Sequence, residues 1–350
     1  MTLETDFEWL ELSLAAPFTI SRGTRETAGC VAVRIEDESG QVGIGASAPS
    51  AYFGETRRTV EEVLPDLLAA VEAVGDPHQR QRVESRTCEI AGGTAEHAAA
   101  RAAVNGALLD LCCRRVDLPL YRYWGLDPER TLATSFTISI DDPDRMAERA
   151  GAAAETYDVL KLKLGTDPDR DEARVAAVRA AAPEATLRVD ANGGWEPAAA
   201  IALTDALADH GVEFVEQPVA ADDPAGLARV AGASPLPIAA DESCVTARDV
   251  PAVAEWADVV VAKLAKCGGP AAARRLIHVA RAHDLDVMLG CMTESAAAIA
   301  PAAHLAPLAD YADLDGALLL ADDPYEGVPV TDGRVDLAAL DQPGTGARRA

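Results

Sequence analysis

The sequence has few aromatic residues, few basic residues and no long apolar run. Aromatic residues make up 4% of the 350 residues, and 31 lysines and arginines stand against 57 aspartates and glutamates, a formal charge of −26. Such a surface would not neutralise phosphates, so the composition excludes nucleic acid as a partner. Because no stretch approaches the roughly 20 apolar residues of a transmembrane helix, we also expect no membrane partner.

Cysteine is present but lacks the spacing of a metal site. The seven cysteines include no Cys-x-x-Cys pair, and two of them, Cys112 and Cys113, are adjacent in the chain. An odd number of thiols without such spacing is typical of buried, reduced cysteines in a cytosolic protein. The N-terminus is also too acidic and polar for a signal peptide. We therefore expect a cytoplasmic location.

The first third of the chain predicts an α+β domain. Residues 10–19 and 30–36 alternate apolar and polar side chains, and a turn leads back through residues 42–45, which indicates an antiparallel meander. Two helical segments follow, at about Glu55–Val74 and Ala95–Arg115, the second with an apolar face. We assign residues 1–125 to this domain.

From residue 126 to about residue 320 strands and helices alternate. Eight consecutive strand–helix units are the signature of a (β/α)8-type barrel, and they favour closure over an open doubly wound sheet. The eight strand segments are Ser135–Ile140, Val159–Leu164, Leu187–Asp190, Phe214–Glu216, Ile238–Asp241, Val259–Lys263, Val287–Leu289 and Tyr311–Asp315. Helices are expected between them, for example Asp171–Ala181 and Ala198–His210. Residues from about 321 to 350 have strand-like runs that we expect to complete the first domain.

Three acidic residues close successive strand segments. Asp190, Glu216 and Asp241 are separated by 26 and 25 residues, about the length of one strand–helix unit. Because the carboxyl ends of parallel strands open on one mouth, the three carboxylates would converge there. An all-oxygen set of this kind is what Mg²⁺ prefers, and three ligands leave three positions for substrate or water.

Lysines flank the acids at the same interval. Lys161 and Lys163 end the second strand segment on one face, because side chains alternate along a strand, and Lys263 ends the sixth. Two neighbouring cations lower each other's pKa, so one lysine becomes a base and the other stays charged. The second and sixth strands of a closed barrel are opposite, which places a base on each side of a substrate. Glu242 and Lys266 are weaker candidates.

The eighth strand segment carries a second acidic pair. Asp313 and Asp315 would both point inward, with no lysine near them in sequence. Away from the metal, such a pair would bind a cation such as a substrate ammonium group. The alternative is structural, with one aspartate capping the following helix.

Taken together, these motifs resemble the muconate-lactonizing subgroup of the enolase superfamily. The matching motifs are Lys161-x-Lys163, Val189-Asp190-Ala191-Asn192, Glu216-Gln217-Pro218, Ala240-Asp241-Glu242-Ser243 and Lys263-x-x-Lys266-x-Gly268-Gly269. The motif Asp313-x-Asp315-Gly316 is similar to that of the dipeptide epimerases, and Phe18–Gly23 and Leu289–Met292 are similar to the L-Ala-D/L-Glu epimerase branch.

The resemblance implies an N-terminal capping domain over the barrel and a Mg²⁺-dependent epimerisation of a dipeptide. The metal would hold the terminal carboxylate of the substrate and the Asp-x-Asp pair its free amine. Two cap loops, about Ser21–Thr27 and Ser47–Glu55, would place four side chains near the substrate. These are Arg22, Arg25, Tyr52 and Phe53.

Two departures from the family pattern leave the epimerised residue open. Val261 stands where the family often has Asn, and Gly23 stands where some relatives carry an arginine for a Glu side chain. An acidic side chain could meet Arg22 or Arg25, and the small residues Ala296–Ala298 could leave room for a larger N-terminal residue. The oligomeric state is equally open, with a homo-oligomer among the alternatives.

Three other functions compete with dipeptide epimerisation. On the same scaffold, o-succinylbenzoate synthesis, N-acylamino-acid racemisation or cycloisomerisation would use substrates without a free ammonium, against which Asp313 and Asp315 argue. A non-catalytic metal-binding barrel is more remote, because the acids and bases are all present. Nucleotide binding by Gly43-x-Gly45-x-x-Ala48 is disfavoured, since that run opens no helix.

Overall fold

The computed structural model of the protein describes residues 2–340 and 342–350. Its N-terminal part is an antiparallel sheet in the order β1-β2-β3, covered by helices. The strands are β1 (Leu3–Ile20), β2 (Gly23–Asp37) and β3 (Val42–Ser47), and the helices are α1 (Arg57–Val74), α2 (Arg80–Ala91), α3 (Ala98–Arg115) and the short α4 (Leu120–Tyr123). The meander and the two long helices were expected, whereas α2 was not.

The tip of this sheet corrects one expectation. The first cap loop, predicted over Ser21–Thr27, is the end of a β-hairpin in which Phe18 pairs with Arg25 and Ile20 with Gly23. Strands β1 and β2 extend that far because their register shifts between Ser13 and Phe18, which lets the ribbon bend and continue past the sheet.

Eight parallel strands form the second part of the fold. They are β4 (Phe136–Ile138), β5 (Val159–Lys163), β6 (Thr186–Asp190), β7 (Val212–Glu216), β8 (Ile238–Ala240), β9 (Val259–Lys263), β10 (Asp286–Gly290) and β11 (Tyr311–Asp313), hydrogen-bonded in that order. A parallel bridge between Thr134 and Ala312 joins the two edges, and Ser135 N–H donates to the Ala312 carbonyl at 3.0 Å. The predicted (β/α)8-type barrel with an α+β cap is therefore confirmed.

Helices follow the barrel strands on the outside. They are α5 (Pro143–Ala153), α6 (Pro168–Ala181), α7 (Pro197–Asp209), α8 (Pro224–Ala233), α9 (Val250–Val253), α10 (Leu264–Cys267), α11 (Pro270–Ala282) and α12 (Ala296–Ala303). Five of them begin at a proline, whose fixed φ suits the first helical position and whose missing N–H would have no partner there. In the described residues no helix is long and apolar enough to cross a membrane.

Alternation along the barrel strands divides their side chains between two cores. Leu160, Leu162 and Val189 point outward and pack against the helices, whereas Phe214, Val261 and others fill the barrel interior. Val261, one of the departures from the family pattern, is thus a buried apolar residue of the barrel core. The same alternation leaves Lys161 and Lys163 on the inward face.

The C-terminal segment contacts the cap. Short strands β12 (Tyr325–Glu326) and β15 (Arg348–Arg349) pair with each other, and β13 (Val330–Thr331) pairs with β14 (Arg334–Val335). Ala321 N–H donates to the Ser13 carbonyl, and Thr345 N–H donates to the buried Asp110 on α3. These contacts support the assignment of residues 1–125 and about 321–350 to the cap and of 126–320 to the barrel, and the boundaries stay a prediction.

The glycines of β3 account for the Gly43-x-Gly45 motif by close packing. A Cβ added at Gly45 would lie 2.2 Å from the Ala103 carbonyl oxygen, and one at Gly43 would lie 2.2 Å from that of Ala107. Both carbonyls belong to α3, so the two glycines allow this helix to pack directly on β3. The Gly43-x-Gly45 spacing therefore serves sheet–helix packing.

We expect Gly45→Ala to lower the free energy of unfolding by about 2–3 kcal/mol, because the methyl group must displace the α3 backbone. Urea unfolding followed by circular dichroism would measure the loss. Gly232→Ala on α8 is the matched control, since an added Cβ meets no atom within 4 Å there. Equal effects of the two substitutions would contradict the packing role of Gly45.

Candidate active site

The three predicted acidic ligands lie at the carboxyl ends of adjacent barrel strands. Lys163 pairs in register with Asp190, and Asp190 with Glu216, across β5, β6 and β7. Asp241 directly follows β8, the next strand in the sheet. All three acids are buried, with Asp190 and Glu216 fully so. The sequence spacing thus predicted their common edge.

Lysine ammonium groups occupy the space between these carboxylates. Lys161 Nζ lies 2.7 Å from Glu216 Oε2 and 3.2 Å from Asp190 Oδ2, and Lys163 Nζ lies 2.6 Å from the same Asp190 oxygen. Lys263 Nζ lies 2.7 Å from Asp241 Oδ2. With the lysines in these positions, no three acidic, imidazole or thiol groups of residues 2–340 and 342–350 converge as a ready-made metal site.

Glu216 shows that the carboxylate cluster suits a hard cation. Its side chain is fully buried, Oε2 forms an ion pair with Lys161, and Oε1 has no partner among the described residues. Burial and the neighbouring charge of Asp190 raise the pKa of Glu216 to about 8. A buried carboxylate with an unsatisfied oxygen is costly, and a divalent cation with oxygen ligands would remove that cost. Asp190, Glu216 and Asp241 therefore fit such an ion.

The lysine pKa values differ from the sequence expectation. Burial opposes the charge of Lys161, but the carboxylates of Asp313, Glu216 and Asp190 outweigh it and raise its pKa well above the ordinary value. Burial likewise opposes the charge of Lys263, but the carboxylates of Asp241, Glu216 and Glu242 together outweigh it and raise its pKa. The expectation that a neighbouring cation lowers the pKa was wrong for Lys161, because the attraction of three carboxylates outweighs both burial and any repulsion.

Lys266, a weaker candidate from the sequence, is hydrogen-bonded to Asp241. Its buried Nζ donates to Asp241 Oδ1 at 2.6 Å and to the Asp241 carbonyl at 2.5 Å. The sequence composition could have identified Lys266 as a site residue. The sequence contains only four lysines, Lys161, Lys163, Lys263 and Lys266, while the other 27 basic residues are arginines. A chain that uses lysine nowhere else has placed all four in this one site.

Lys163 and Lys263 line one cavity from opposed strands. In the closed eight-stranded barrel, β5 and β9 are separated by three strands on either side. Both side chains border a cavity of about 130 Å³ at the barrel mouth, together with Asp241, Asp313 and Asp315. Gly290 on β10 leaves room for one of them, since a Cβ there would lie 2.8 Å from Lys263 Cε.

The two residues of the second acidic pair, Asp313 and Asp315, have different partners. Asp313 accepts from Lys161 Nζ at 2.7 Å and from Ser135 Oγ at 2.5 Å, a contact with a lysine that the sequence did not predict. Asp315 accepts from Thr137 N–H at 2.6 Å and makes no ion pair in the described part of the chain. Burial and the charge of Asp313 raise the pKa of Asp315 to about 7. Asp315 thus faces the cavity without a cation.

The predicted cap residues fall in different places. Arg22 Nη1 donates to Glu242 Oε1 at 2.9 Å and to the Asn192 carbonyl at 2.8 Å, and its guanidinium stacks on the Tyr52 ring. Arg22 therefore joins the hairpin tip to the barrel and is neutralised there. Tyr52 is 43% exposed and covers Arg22, whereas Phe53 and Arg25 border the cavity.

Ala296–Ala298 do not enlarge the cavity. Ala297 and Ala298 on α12 are buried against Leu10 and Leu12 of the cap, and neither borders the cavity. The expectation of extra room at this point was wrong, because cap side chains fill it. Apolar cavity walls come instead from Leu14, Phe18, Ile20, Phe53, Met292 and Leu319.

Comparison with known proteins places this site in a family. The sequence profile for the mandelate racemase/muconate lactonizing enzyme N-terminal domain matches residues 8–125, and that for the enolase C-terminal domain-like family matches residues 145–348. The chain belongs to the mandelate racemase/muconate lactonizing enzyme family. Its membership accounts for the barrel and the cap.

Curated members of the mandelate racemase/muconate lactonizing enzyme family resemble the chain over nearly its whole length. An L-Ala-D/L-Glu epimerase of Bacteroides thetaiotaomicron is 36% identical over 97% of this chain and 86% of its own. An L-Ala-D/L-amino acid epimerase of Pedosphaera parvula is 38% identical over 94% of each chain. Among solved structures, the Enterococcus faecalis dipeptide epimerase complexed with Mg and L-Leu-L-Tyr has a TM-score of 0.90 and 33% identity, covering both chains fully.

The raised pKa of Glu216 predicts that the free energy of unfolding depends on pH when a chelator keeps the protein free of metal ions. Below pH 4.5 the side chain is protonated in both states, and between pH 4.5 and about 8 it ionises first in the unfolded state. Stability therefore falls as the pH rises through this window. We expect Glu216→Gln, which stays neutral, to lose less stability than the wild type between pH 5 and 8.5 in urea unfolding. Parallel stability curves for the two proteins would contradict the assignment.

Proposed function

We propose that this protein is a Mg²⁺-dependent dipeptide epimerase, an isomerase that inverts the α-carbon of the C-terminal residue of its substrate. The observation that carries the proposal is the cavity with Lys163 and Lys263 on opposed walls and Asp315 at its border. Two bases on opposite sides of one carbon permit removal of a proton from one face and its return to the other. The names of the curated relatives support the same activity.

Asp315 suits the free amine of a dipeptide. It is a buried carboxylate without a cationic partner, so a substrate ammonium group would supply the missing charge. Asp313 is already paired with Lys161, which leaves it to orient that lysine and to strengthen the negative potential at Asp315. The substrate carboxylate then extends toward Lys161 and the acids of β6–β8.

Proton transfer needs positive charge where the substrate becomes negative. Loss of the α-proton places charge on the carboxylate oxygens as an enediolate, and Lys161, held protonated by its acidic neighbours, can oppose it. At about 4 Å and an effective dielectric constant of ~20, one such pair is worth roughly 4 kcal/mol. This corresponds to about a thousandfold in rate, because the charge develops mainly in the transition state.

Asp190, Glu216 and Asp241 would hold the metal, with Lys266 fixing Asp241. Mg²⁺ bound to these carboxylates would place further positive charge near the substrate carboxylate. It would also neutralise the carboxylates that otherwise form ion pairs with Lys163 and Lys263. The acids would thus release the two lysines for catalysis. Saturating Mg²⁺ should also stabilise the wild type more than Glu216→Gln, because the variant lacks one of the three carboxylates.

The substrate is proposed as L-Ala-D/L-Glu or a related L-Ala-L-Xaa dipeptide. The names of relatives divide between these, since one acts on Glu and another more broadly. In the cavity wall the charge of Arg22 is neutralised by Glu242. An acidic side chain of the substrate would therefore depend on Arg25 for a cationic partner. A library of L-Ala-L-Xaa dipeptides screened by mass shift in D₂O would resolve the preference.

We also propose a cytoplasmic location. The seven cysteines all lie within the described residues and form no disulfide. Free buried thiols are typical of proteins from reducing compartments. A homo-oligomer remains one of the alternatives for the assembly.

Exchange of the substrate α-proton in D₂O tests the two-base arrangement. We expect Lys163→Ala and Lys263→Ala each to abolish epimerisation. Each variant should still incorporate deuterium from D₂O into one epimer, because the remaining lysine can remove and return the proton on one face of the α-carbon. The double variant should exchange neither epimer. Mass spectrometry and NMR of the recovered dipeptide would measure both reactions.

Arg58→Ala, which alters a largely exposed cation on α1, is a control for charge removal and should act as wild type. The proposal fails if the double variant still exchanges the α-proton, or if no dipeptide exchanges with the wild type.

Asp315→Asn tests the recognition of the free amine. Loss of a charge-assisted contact should reduce kcat/KM for a dipeptide by about a hundredfold. Binding of Mg²⁺, measured by calorimetry, should be unchanged, because Asp315 does not contact the acids of β6–β8. If the wild type preferred N-acylated amino acids and tolerated this substitution, N-acylamino-acid racemisation would be favoured over the proposed function.

A further inference from the structure

Glu294 is a buried carboxylate between the barrel and the cap. It follows β10, two residues before α12 begins, and is 4% exposed. Met292 N–H donates to its Oε1 at 3.1 Å, within the same loop. Ala48 N–H, 246 residues away in the cap, donates to its Oε2 at 3.0 Å. One side chain thus ties a barrel loop to the start of the second cap loop, Ser47–Glu55.

Both tied backbone segments are walls of the cavity. Ala48, Pro49, Ser50 and Phe53 border it from the cap, and Met292 from the barrel. The far end of the second cap loop is anchored separately, where Glu55 accepts from Ala99 N–H on α3. The contact at Ala48 therefore fixes the start of this loop directly to the barrel.

The chemistry of Glu294 suits a hydrogen-bond acceptor for two amides. Burial raises its pKa to about 7, while the two amide donors and the charge of Lys263 oppose that rise. Burial, with smaller contributions from the charges of Glu294 and Asp323, raises the pKa of the Cys30 thiol on β2. A glutamine at this position would keep one acceptor oxygen but turn an NH₂ group toward the other amide.

We propose that Glu294 is a positioning residue that holds the second cap loop across the cavity and so sets the wall that contacts the substrate. The effect on catalysis rests on the proposed function, whereas the effect on the loop does not. Catalysis itself needs no contact between Glu294 and the substrate.

Hydrogen exchange of the free protein, measured by mass spectrometry, tests the loop directly. Glu294→Gln should speed exchange of the amides of residues 48–54 by about tenfold, the effect of losing one buried hydrogen bond. As the pH falls from 8 to 6, wild-type protection corrected for intrinsic exchange should also fall, because the carboxylate loses an acceptor on protonation. The glutamine variant should show no such pH dependence. Exchange at residues 48–54 that is unchanged in the variant would overturn the proposal.

Steady-state kinetics separates positioning from general destabilisation. Asp323→Asn is the matched control, since Asp323 also accepts two backbone amides, Ala296 N–H and Tyr325 N–H, but neither lies in the second cap loop. At temperatures where both variants are folded, Glu294→Gln should raise KM for the dipeptide about tenfold with a smaller change in kcat. Asp323→Asn should leave KM as in wild type.

Two outcomes distinguish this proposal from the proposed function. Faster exchange at residues 48–54 in Glu294→Gln without any dipeptide turnover by the wild type would retain the positioning role and reject the epimerase. An unchanged KM together with wild-type exchange would reject the positioning role and retain the epimerase.

Discussion

The site depends on the pairing of buried lysines with buried carboxylates at one end of the barrel. Lys161 is the centre of this arrangement, since its ammonium group contacts Asp190, Glu216 and Asp313. Unpaired, any of these charges would be strongly destabilising at such depth. The pairing in turn requires a closed barrel, because Asp313 reaches Lys161 only after β11 joins the β4 edge through Thr134 and Ala312.

The cluster is not balanced, and the imbalance determines what it can bind. Four lysines and Arg22 face six carboxylates, namely Asp190, Glu216, Asp241, Glu242, Asp313 and Asp315. One carboxylate is in excess, and burial together with neighbouring acids raises the pKa values of Glu216 and Asp315. One point suits a divalent cation and the other a substrate ammonium group. The ammonium group of a substrate and a metal ion would supply positive charge at these two points.

The cap contributes the apolar lining of the cavity and the contacts that hold its loops on the barrel, and it contributes little charge. Gly43 and Gly45 let α3 pack directly on β3, which fixes the sheet from which both cap segments project. The hairpin tip is fastened to the barrel by Arg22, and the second cap loop by Glu294. Apolar side chains such as Phe18 and Phe53 then enclose the cavity, so substrate selection depends on how these segments are held.

The sequence by itself determined the barrel, the three acids and the two opposed lysines. These follow from spacing and strand alternation, because the period of a β/α unit and the two-residue repeat of a strand are local properties of the chain. Only the tertiary structure decided two ion pairs, that of Asp313 with Lys161 and that of Arg22 with Glu242. It also decided the raised lysine pKa values. Each depends on distances between side chains from segments far apart in the chain, and electrostatic interactions in a buried site change steeply with those distances.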